Sequence, residues 1–259
     1  MMYRSLLFVP SVTKMLQKIP SFTADSFIVD LEDSISEDNK EEALDSLVSF
    51  LSTNHRNIFV RLDRNHMYEE LRALKSLGIE GLMLPKFEDP SDFDDYIPYL
   101  ECLKIIALIE TPLGAVNTDK IAACRWVDAL ALGAEDYTAS IGMKSTPEFL
   151  MQVRSRLIMY GRAYDKCIYD TPSFETKDMG KLECEVKLSR DMGFDGKLAI
   201  NPKQIDPINR LFVSYDYDKL QYLIDEYEKA GKAVVMIDGM PYEKMHIKRF
   251  KKIITERIR

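Results

Sequence analysis

The chain has 259 residues, more than one average domain of ~150 and close to the ~250 of a single α/β barrel. It is 46% hydrophobic and 30% charged, too apolar for a disordered chain, and a net charge of −7 without a basic run through its body makes it a poor partner for nucleic acid. No apolar stretch approaches the ~18 residues of a membrane span, and the one ahead of Pro10 is too short for a secretory signal, so a cytoplasmic protein is expected.

Eight short apolar runs recur along the chain: 5–9, 26–31, 57–62, 81–86, 104–110, 129–133, 167–170 and 196–201. Each is almost continuously hydrophobic, as suits a strand buried on both faces of a parallel sheet. Between them lie segments of helical periodicity at 41–51, 68–78, 91–99, 115–123, 148–164 and 181–192. Eight strand–helix units predict a (β/α)8 TIM barrel over residues 1–212. A doubly wound open sheet is the alternative, but no GxGxxG follows the first strand and Pro10 stands where that loop would lie. Residues 213–259 fall outside the pattern, with a helix at 216–232, a strand at 234–238 and a basic helix at 241–259. They read as a short helical lid or oligomerisation segment, the basic helix being a surface helix with a solvated charged face.

Cys102, Cys124, Cys167 and Cys184 lack CxxC spacing and read as reduced, buried thiols. Trp126 reads as core packing. His55, His66 and His246 show no HxxxH pairing, so a metal here would be a hard cation on oxygen ligands.

An active site in such a barrel lies at the C-terminal ends of the strands. Strand two ends in Asp30, Glu32 and Asp33, strand three in Arg61 and Asp63, strand four in Lys86, strand five in Glu110, strand six in Gly133–Asp136, strand seven in Asp170 and strand eight in Asn201. Glu110 and Asp136 end adjacent strands, and two converging carboxylates require a cation, for which Mg²⁺ is suited. The competing reading of Glu110 is a structural ion pair with Lys86 or Lys104. Arg61 offers a fixed fork to a substrate carboxylate or carbonyl. The turn at Gly133–Glu135 leads into a helix start, where free N–H groups favour an anion.

The motifs RSLLFVP (4–10), IVDLEDS (28–34), VRLD (60–63), LPKFE (84–88), IETPLG (109–114), LGAEDY (132–137), DTP (170–172), GFDGKLAINPKQI (193–205) and MID (236–238) occur in this order. Together they resemble the citrate lyase β-subunit group, with malyl-CoA and citramalyl-CoA lyases, within the HpcH/HpaI aldolase superfamily. The resemblance spans nearly the whole chain. It implies a (β/α)8 barrel that makes or breaks a C–C bond between an acyl thioester and a 2-oxo acid with Mg²⁺. It assigns Glu110 and Asp136 to the metal, Arg61 to the oxo-acid oxygens, and the backbone at Ala134 and Glu135 to the substrate carboxylate. It sends Asp238, as acid or base, into a neighbouring subunit's site, so that residues 213–259 cap a partner's barrel mouth in a homotrimer or multiple of three. Glu32 and Asp33 are added as catalytic candidates, and Pro112 and Arg4 as substrate-binding ones, with Arg4 or Lys14 meeting CoA phosphates.

Three departures stand out. Ser11 replaces a usual Gly in the loop that nears the CoA or carrier-protein arm, Asn201–Pro202 stands for a usual His–Pro and reads as structural, and the C-terminal region is shorter than in many malyl-CoA lyases. The expected activity is Mg²⁺-dependent cleavage of a 3-hydroxy-3-carboxyacyl thioester of citryl, malyl or citramalyl type. The rivals are a non-catalytic binder of acyl thioester or 2-oxo acid, and an aldolase or thioesterase on a related substrate.

Overall fold

The computed structural model describes residues 3–54, 57–144, 146–212 and 217–257. His55 lies outside the described residues. The strands are β1 (Ser5–Pro10), β2 (Ser26–Asp30), β3 (Ile58–Arg61), β4 (Gly81–Leu84), β5 (Lys104–Ile109), β6 (Ala129–Leu132), β7 (Cys167–Asp170), β8 (Gly196–Ala199), β9 (Val234–Ile237) and β10 (Met240–Glu243). The helices are α1 (Thr13–Leu16), α2 (Lys40–Leu51), α3 (Met67–Leu74), α4 (Ile97–Leu100), α5 (Pro112–Val116), α6 (Thr118–Ala123), α7 (Ala134–Ile141), α8 (Pro147–Ala163), α9 (Met179–Met192), α10 (Ile205–Phe212), α11 (Tyr217–Ala230) and α12 (Lys244–Arg257). No helix among the described residues is long and apolar enough to cross a membrane.

Strands β1 to β8 pair in order and in parallel, and β8 returns to β1, closing the barrel. All eight expected strands are present. Side chains alternate along a strand, and here the alternation separates two cores. Leu6, Ile28, Phe59, Met83, Ile106, Leu108, Tyr169 and Leu198 fill the barrel interior. Leu7, Val29, Val60, Leu82, Ala107 and Ile168 face the surrounding helices. This parity decides which rim residues reach the axis.

Some expected helices differ. The stretch 91–99 forms a 3-10 segment, Pro90–Tyr96, and then the short α4, because Pro98 can begin a helix but cannot donate within one. The stretch 115–123 is divided between α5 and α6. Thr118 Oγ1 donates to the Gly114 and Ala115 carbonyls, in competition with the backbone ladder. Helix α3 stops at Leu74, ahead of the expected Gly78. The thiols are free but not buried as expected: Cys102 and Cys184 are exposed, and Cys124 and Cys167 half-buried. Trp126 packs on Phe87 and Phe93.

The chain divides into two compact units, residues 2–212 and 213–259. The C-terminal unit is α11, the antiparallel pair β9–β10, and α12. Where one strand leading to a helix from 241 was expected, a second strand intervenes. Asp238 and Gly239 form its two-residue turn, both with positive φ (51° and 77°), and Asp-Gly is a favoured sequence for that geometry.

Candidate active site

Ten of the residues lining a cavity of about 350 Å³ at the C-terminal rim have barrel-interior parity: Phe8, Pro10, Asp30, Arg61, Leu108, Glu110, Gly133, Thr171, Leu198 and Ile200. Asp33, Ser34, Ala134, Glu135, Asp136, Pro172 and Phe174 complete the lining from the loops above. The cavity therefore has a charged wall and an apolar one.

Arg61 organises the charged wall. It is the register neighbour of Asp30 on the adjacent strand, which explains a bidentate pair: Nε donates to Oδ1 at 2.6 Å and Nη2 to Oδ2 at 2.8 Å. Its Nη1 lies 3.1 Å from Glu32 Oε2 and 3.3 Å from Asp33 Oδ2. The guanidinium stands 5.2 Å from the Phe8 ring centre. Burial opposes ionisation of Asp30, but the Arg61 bonds and charge overcome it and hold that carboxyl below the usual range. The Asp30 oxygens also accept the N–H groups of Glu32 (3.0 Å) and Ser34 (3.2 Å), which folds the loop after β2 over the rim.

Glu32 Oε2 and Glu110 Oε2 are both buried without a hydrogen-bond partner, but Glu32 Oε2 has the Arg61 charge at 3.1 Å whereas Glu110 is in no ion pair among the described residues. It is 2% exposed, and Oε1 accepts the Lys86 N–H at 2.8 Å while Oε2 has no hydrogen-bond partner. Burial, reinforced by the charges of Glu32 and Asp136, pushes its carboxyl up to about 8. Gly133 makes room for it, since a Cβ there would lie 2.6 Å from Glu110 Cβ and 2.7 Å from Oε2. The competing ion pairs do not form. Lys104 pairs with Glu80, and the Lys86 ammonium donates to Glu32 Oε1 at 2.8 Å. Glu32 is buried and stands outside the cavity lining, spanning Arg61 and Lys86. Burial outweighs these two cations and raises its carboxyl above the ordinary value.

The structure thus brings Arg61, Glu110, Asp136, Asp33, Ala134 and Glu135 together around one cavity. Pro112 is exposed and outside the lining. It occupies the first position of α5, capped by Thr111 Oγ1. Arg4 lies at the opposite end of the barrel, ahead of β1, and is paired with Asp25. Lys14 is exposed on α1, and Asp238 is exposed at the hairpin turn of the C-terminal unit. Ser11 turns inward, 1% exposed, its hydroxyl donating to the Ala43 carbonyl. Asn201 caps the next turn by accepting the Lys203 N–H.

Three contributions were not read from the sequence: Asp30 as the Arg61 clamp, Thr171, whose Oγ1 accepts the Ala134 N–H at 3.2 Å, and the Lys86 backbone N–H, since Lys86 was named only as a rim residue and an ion-pair partner. For Asp30 and Thr171 the strand parity that places Ile28 and Tyr169 inside the barrel was the available signal, whereas Lys86 has the helix-facing parity of Leu82 and Leu84 and no such signal marks it. Asp170, a rim candidate, has the opposite parity to Tyr169. It is fully buried away from the axis, bonded to Arg154 (2.9 and 3.2 Å), Ser189 (2.5 Å) and its register neighbour Lys197 (3.2 Å). Among the described residues no cluster of three or more His, Cys, Asp or Glu side chains forms a metal cage. The carboxylates in the cavity lining are those of Asp30, Asp33, Glu110, Glu135 and Asp136.

The same architecture is found in known proteins. The family model described as HpcH/HpaI aldolase/citrate lyase matches residues 4–202. A (3S)-malyl-CoA thioesterase of Cereibacter sphaeroides is 30% identical over 95% of this chain and 91% of its own length. The citrate lyase subunit beta of Haemophilus influenzae is 30% identical over 97% of this chain and 95% of its own. A citrate lyase beta subunit from M. tuberculosis, solved with oxaloacetate and magnesium, superposes with a TM-score of 0.74 at 26% identity, covering 82% of this chain and 98% of that one. With its closed eight-stranded barrel and a family match over most of its length, the chain belongs to the HpcH/HpaI aldolase/citrate lyase family.

Proposed function

We propose that the protein is a Mg²⁺-dependent carbon–carbon lyase. It cleaves, or in reverse forms, a 3-hydroxy-3-carboxyacyl thioester of the citryl, malyl or citramalyl type, giving an acyl thioester and a 2-oxo acid. The observation that carries this reading is Glu110, a buried carboxylate with one unpartnered oxygen, in the wall of a cavity shared with Asp136 and Arg61. Two carboxylates with no His or Cys suit a hard cation, and the missing side chain at Gly133 leaves space beside Oε2. Glu110 and Asp136 would hold the ion. Bound there, Mg²⁺ supplies Lewis acidity towards the carboxylate and adjacent oxygen of an oxo acid. The relative complexed with oxaloacetate and magnesium supports both ligands.

Arg61, held by Asp30, presents a fixed positive charge where negative charge develops on the oxo-acid oxygen. Thr171 already accepts the Ala134 N–H, which frees its own hydroxyl proton to reach a substrate carboxylate alongside the Glu135 N–H. Cleavage takes a proton from the 3-hydroxyl as its carbonyl forms and the C–C bond breaks, and returns one to the departing thioester enolate. Asp33, on the cavity wall and 55% exposed at its side chain, and Asp238, exposed at its hairpin turn, are the carboxyl groups assigned to these two transfers, as base and as acid. Asp238 would act in a neighbouring subunit of a trimer.

Thioester hydrolysis is the second reading, favoured by the malyl-CoA thioesterase among the relatives. Incubation with Mg²⁺ and malyl-, citramalyl- or citryl-thioesters separates the two. A lyase releases glyoxylate, pyruvate or oxaloacetate, whereas a thioesterase releases the free hydroxy acid and thiol. Ligand binding by calorimetry without any product would support the non-catalytic binder, and a monomer by light scattering would remove the role of Asp238 in trans.

A further inference from the structure

Lys86 is not a residue expected to take an unusual backbone, yet its φ is +47°. A side chain in the left-handed region carries a cost that persists only where the surroundings impose it. Here the surroundings grip the residue at several points. Its N–H donates to Glu110 Oε1, its ammonium donates to Glu32 Oε1, and its carbonyl accepts Arg64 Nη1 at 2.9 Å. The next residue is fixed too, the Phe87 N–H donating to the Leu108 carbonyl at 3.2 Å. The strained turn therefore joins two carboxylates through two different parts of one residue.

We infer that Lys86 is a positioning residue for a divalent cation: its left-handed backbone aims the N–H at Glu110 Oε1, which leaves Oε2 unpartnered at the cavity wall, while its ammonium ties Glu32 down beside Arg61. The inference rests on the reading that Glu110 binds a metal. The two halves of the residue act with opposite sign on that metal. The N–H orients the ligand and strengthens binding. The ammonium is a nearby positive charge and weakens it, while keeping Glu32 from disturbing the Arg61 fork that meets the oxo acid. A residue that merely stabilised the loop would give no such split.

Three proteins separate these effects, with Mg²⁺ and pyruvate as the calorimetric probes. Lys86→Met keeps an unbranched side chain on the same backbone and removes only the charge. It is expected to bind Mg²⁺ as tightly as the parent or more tightly, and pyruvate in the presence of Mg²⁺ several-fold more weakly. Lys86→Val, whose branched Cβ resists positive φ, is expected to bind Mg²⁺ about 10–100-fold more weakly, the range found for outer partners of metal ligands. Lys86→Gly, free to adopt the turn, should restore Mg²⁺ binding to the level of Lys86→Met; this comparison also serves if the valine variant does not fold, since Lys86→Ala then takes its place with a smaller loss. Equal Mg²⁺ affinity in the methionine, glycine and valine or alanine proteins overturns the inference. A parent that binds no Mg²⁺, or a Glu110→Ala protein that binds it unchanged, overturns the metal reading and this inference with it. Parent binding that is lost in Glu110→Ala keeps the metal reading whatever Lys86 does.

Discussion

The two ends of the barrel are both ringed with charge, and they use it differently. At the N-terminal end, residues just ahead of the strands act as clips between neighbours. Asp25 accepts the Arg4 N–H at 2.9 Å, Asp128 the Ile105 N–H and Asp195 the Ile168 N–H, both at 2.8 Å, and Glu80 accepts both Lys104 and the Tyr3 hydroxyl. At the C-terminal end the corresponding groups are crowded and incompletely matched. Three carboxylates face one guanidinium, Lys86 is held in a left-handed turn, and Glu110 Oε2 has no partner. An unpaired buried carboxylate works against folding, so its place in the wall of a cavity marks a group kept for binding. The first end is built for stability, and the second carries a cost that a proton relieves in the free protein and, on the proposed reading, a bound cation relieves in its place.

The strongest way to break this contrast is Glu110→Gln. If the carboxylate is there for a ligand, turnover of the thioester should fall about 10³-fold, on the scale of losing one electrostatic group at a reacting oxygen. The melting temperature of the metal-free protein at pH 7 should hold or rise, because an amide is neutral without the proton that the carboxylate must take up on folding. Steady-state kinetics and a thermal melt on one preparation check both, and a large drop in melting temperature would return Glu110 to a structural role.

Asp170 sharpens the contrast, because it ends a strand at the catalytic rim and yet belongs with the stabilising groups. Burial opposes its ionisation, but Lys197 and Arg154 overcome it and hold its carboxyl below the usual range. Asp170→Asn leaves two buried cations without their anion. That should cost about 3–5 kcal/mol, a fall in melting temperature of roughly 10 °C. Mg²⁺ affinity of the folded protein, measured by calorimetry, should stay within about twofold of the parent. A selective loss of Mg²⁺ binding would move Asp170 into the site.

Asp170 also shows where a reading of the residues alone stops. Runs such as KIIALIE and CIYD make the strands legible, since only a strand covered on both faces is apolar throughout. Their number and order make the closed barrel legible too. The polar residues that end each run were equally visible, and Arg61, Glu110 and Asp136 do share a cavity. A list of strand-ending residues cannot by itself tell Tyr169 from Asp170. One residue of parity sends one side chain to the axis and the next to the helices, and the parity emerges only when all eight strands are set in register. Pro112 and Arg4 show two other gaps. Pro112 was singled out from a motif whose proline starts a helix, and Arg4 from a motif that begins at the far end of the barrel. The Lys86 turn had no sequence signal, because a positive φ at lysine is imposed by Glu110, Glu32 and Arg64 from three separate strands or loops. The Asp238–Gly239 turn did have one, in the Asp-Gly pair itself.

Glu70 tests the boundary behind the rim. It is 3% exposed on α3, and Oε2 accepts the Asp63 N–H at 2.9 Å. Burial lifts its carboxyl to about 8. In the unfolded chain the group ionises near pH ~4.3. Between these values the unfolded state has released the proton and the folded state still holds it. The stabilising contribution is therefore complete below pH ~4.3 and is lost progressively as pH rises towards 8. Glu70→Gln removes the proton from the balance and keeps an acceptor for the Asp63 N–H. Its melting temperature should fall less between pH 5 and 8 than the parent's, by about 2–4 °C for each kcal/mol involved. Parallel melting curves would mean that Glu70 ionises freely in the folded protein.

The smallest effect is expected at the opposite end, where Arg4 closes its pair with Asp25. The two side chains are 38% and 20% exposed, so the charge interaction is largely screened and is worth at most about 1 kcal/mol. Arg4→Gln should lower the melting temperature by no more than about 2–4 °C. The difference should grow at ~0.01 M salt, where the screening length is ~30 Å, and shrink at ~1 M. Asp25 keeps the Arg4 N–H in the variant, so the clip between the first two strands survives in its neutral form. KM for a CoA thioester should not change, because the residue lies below the strands and the cavity above them. A several-fold rise in KM with an unchanged melting temperature would give Arg4 a substrate phosphate in place of Asp25, and would end the separation of the two ends into one that stabilises and one that binds.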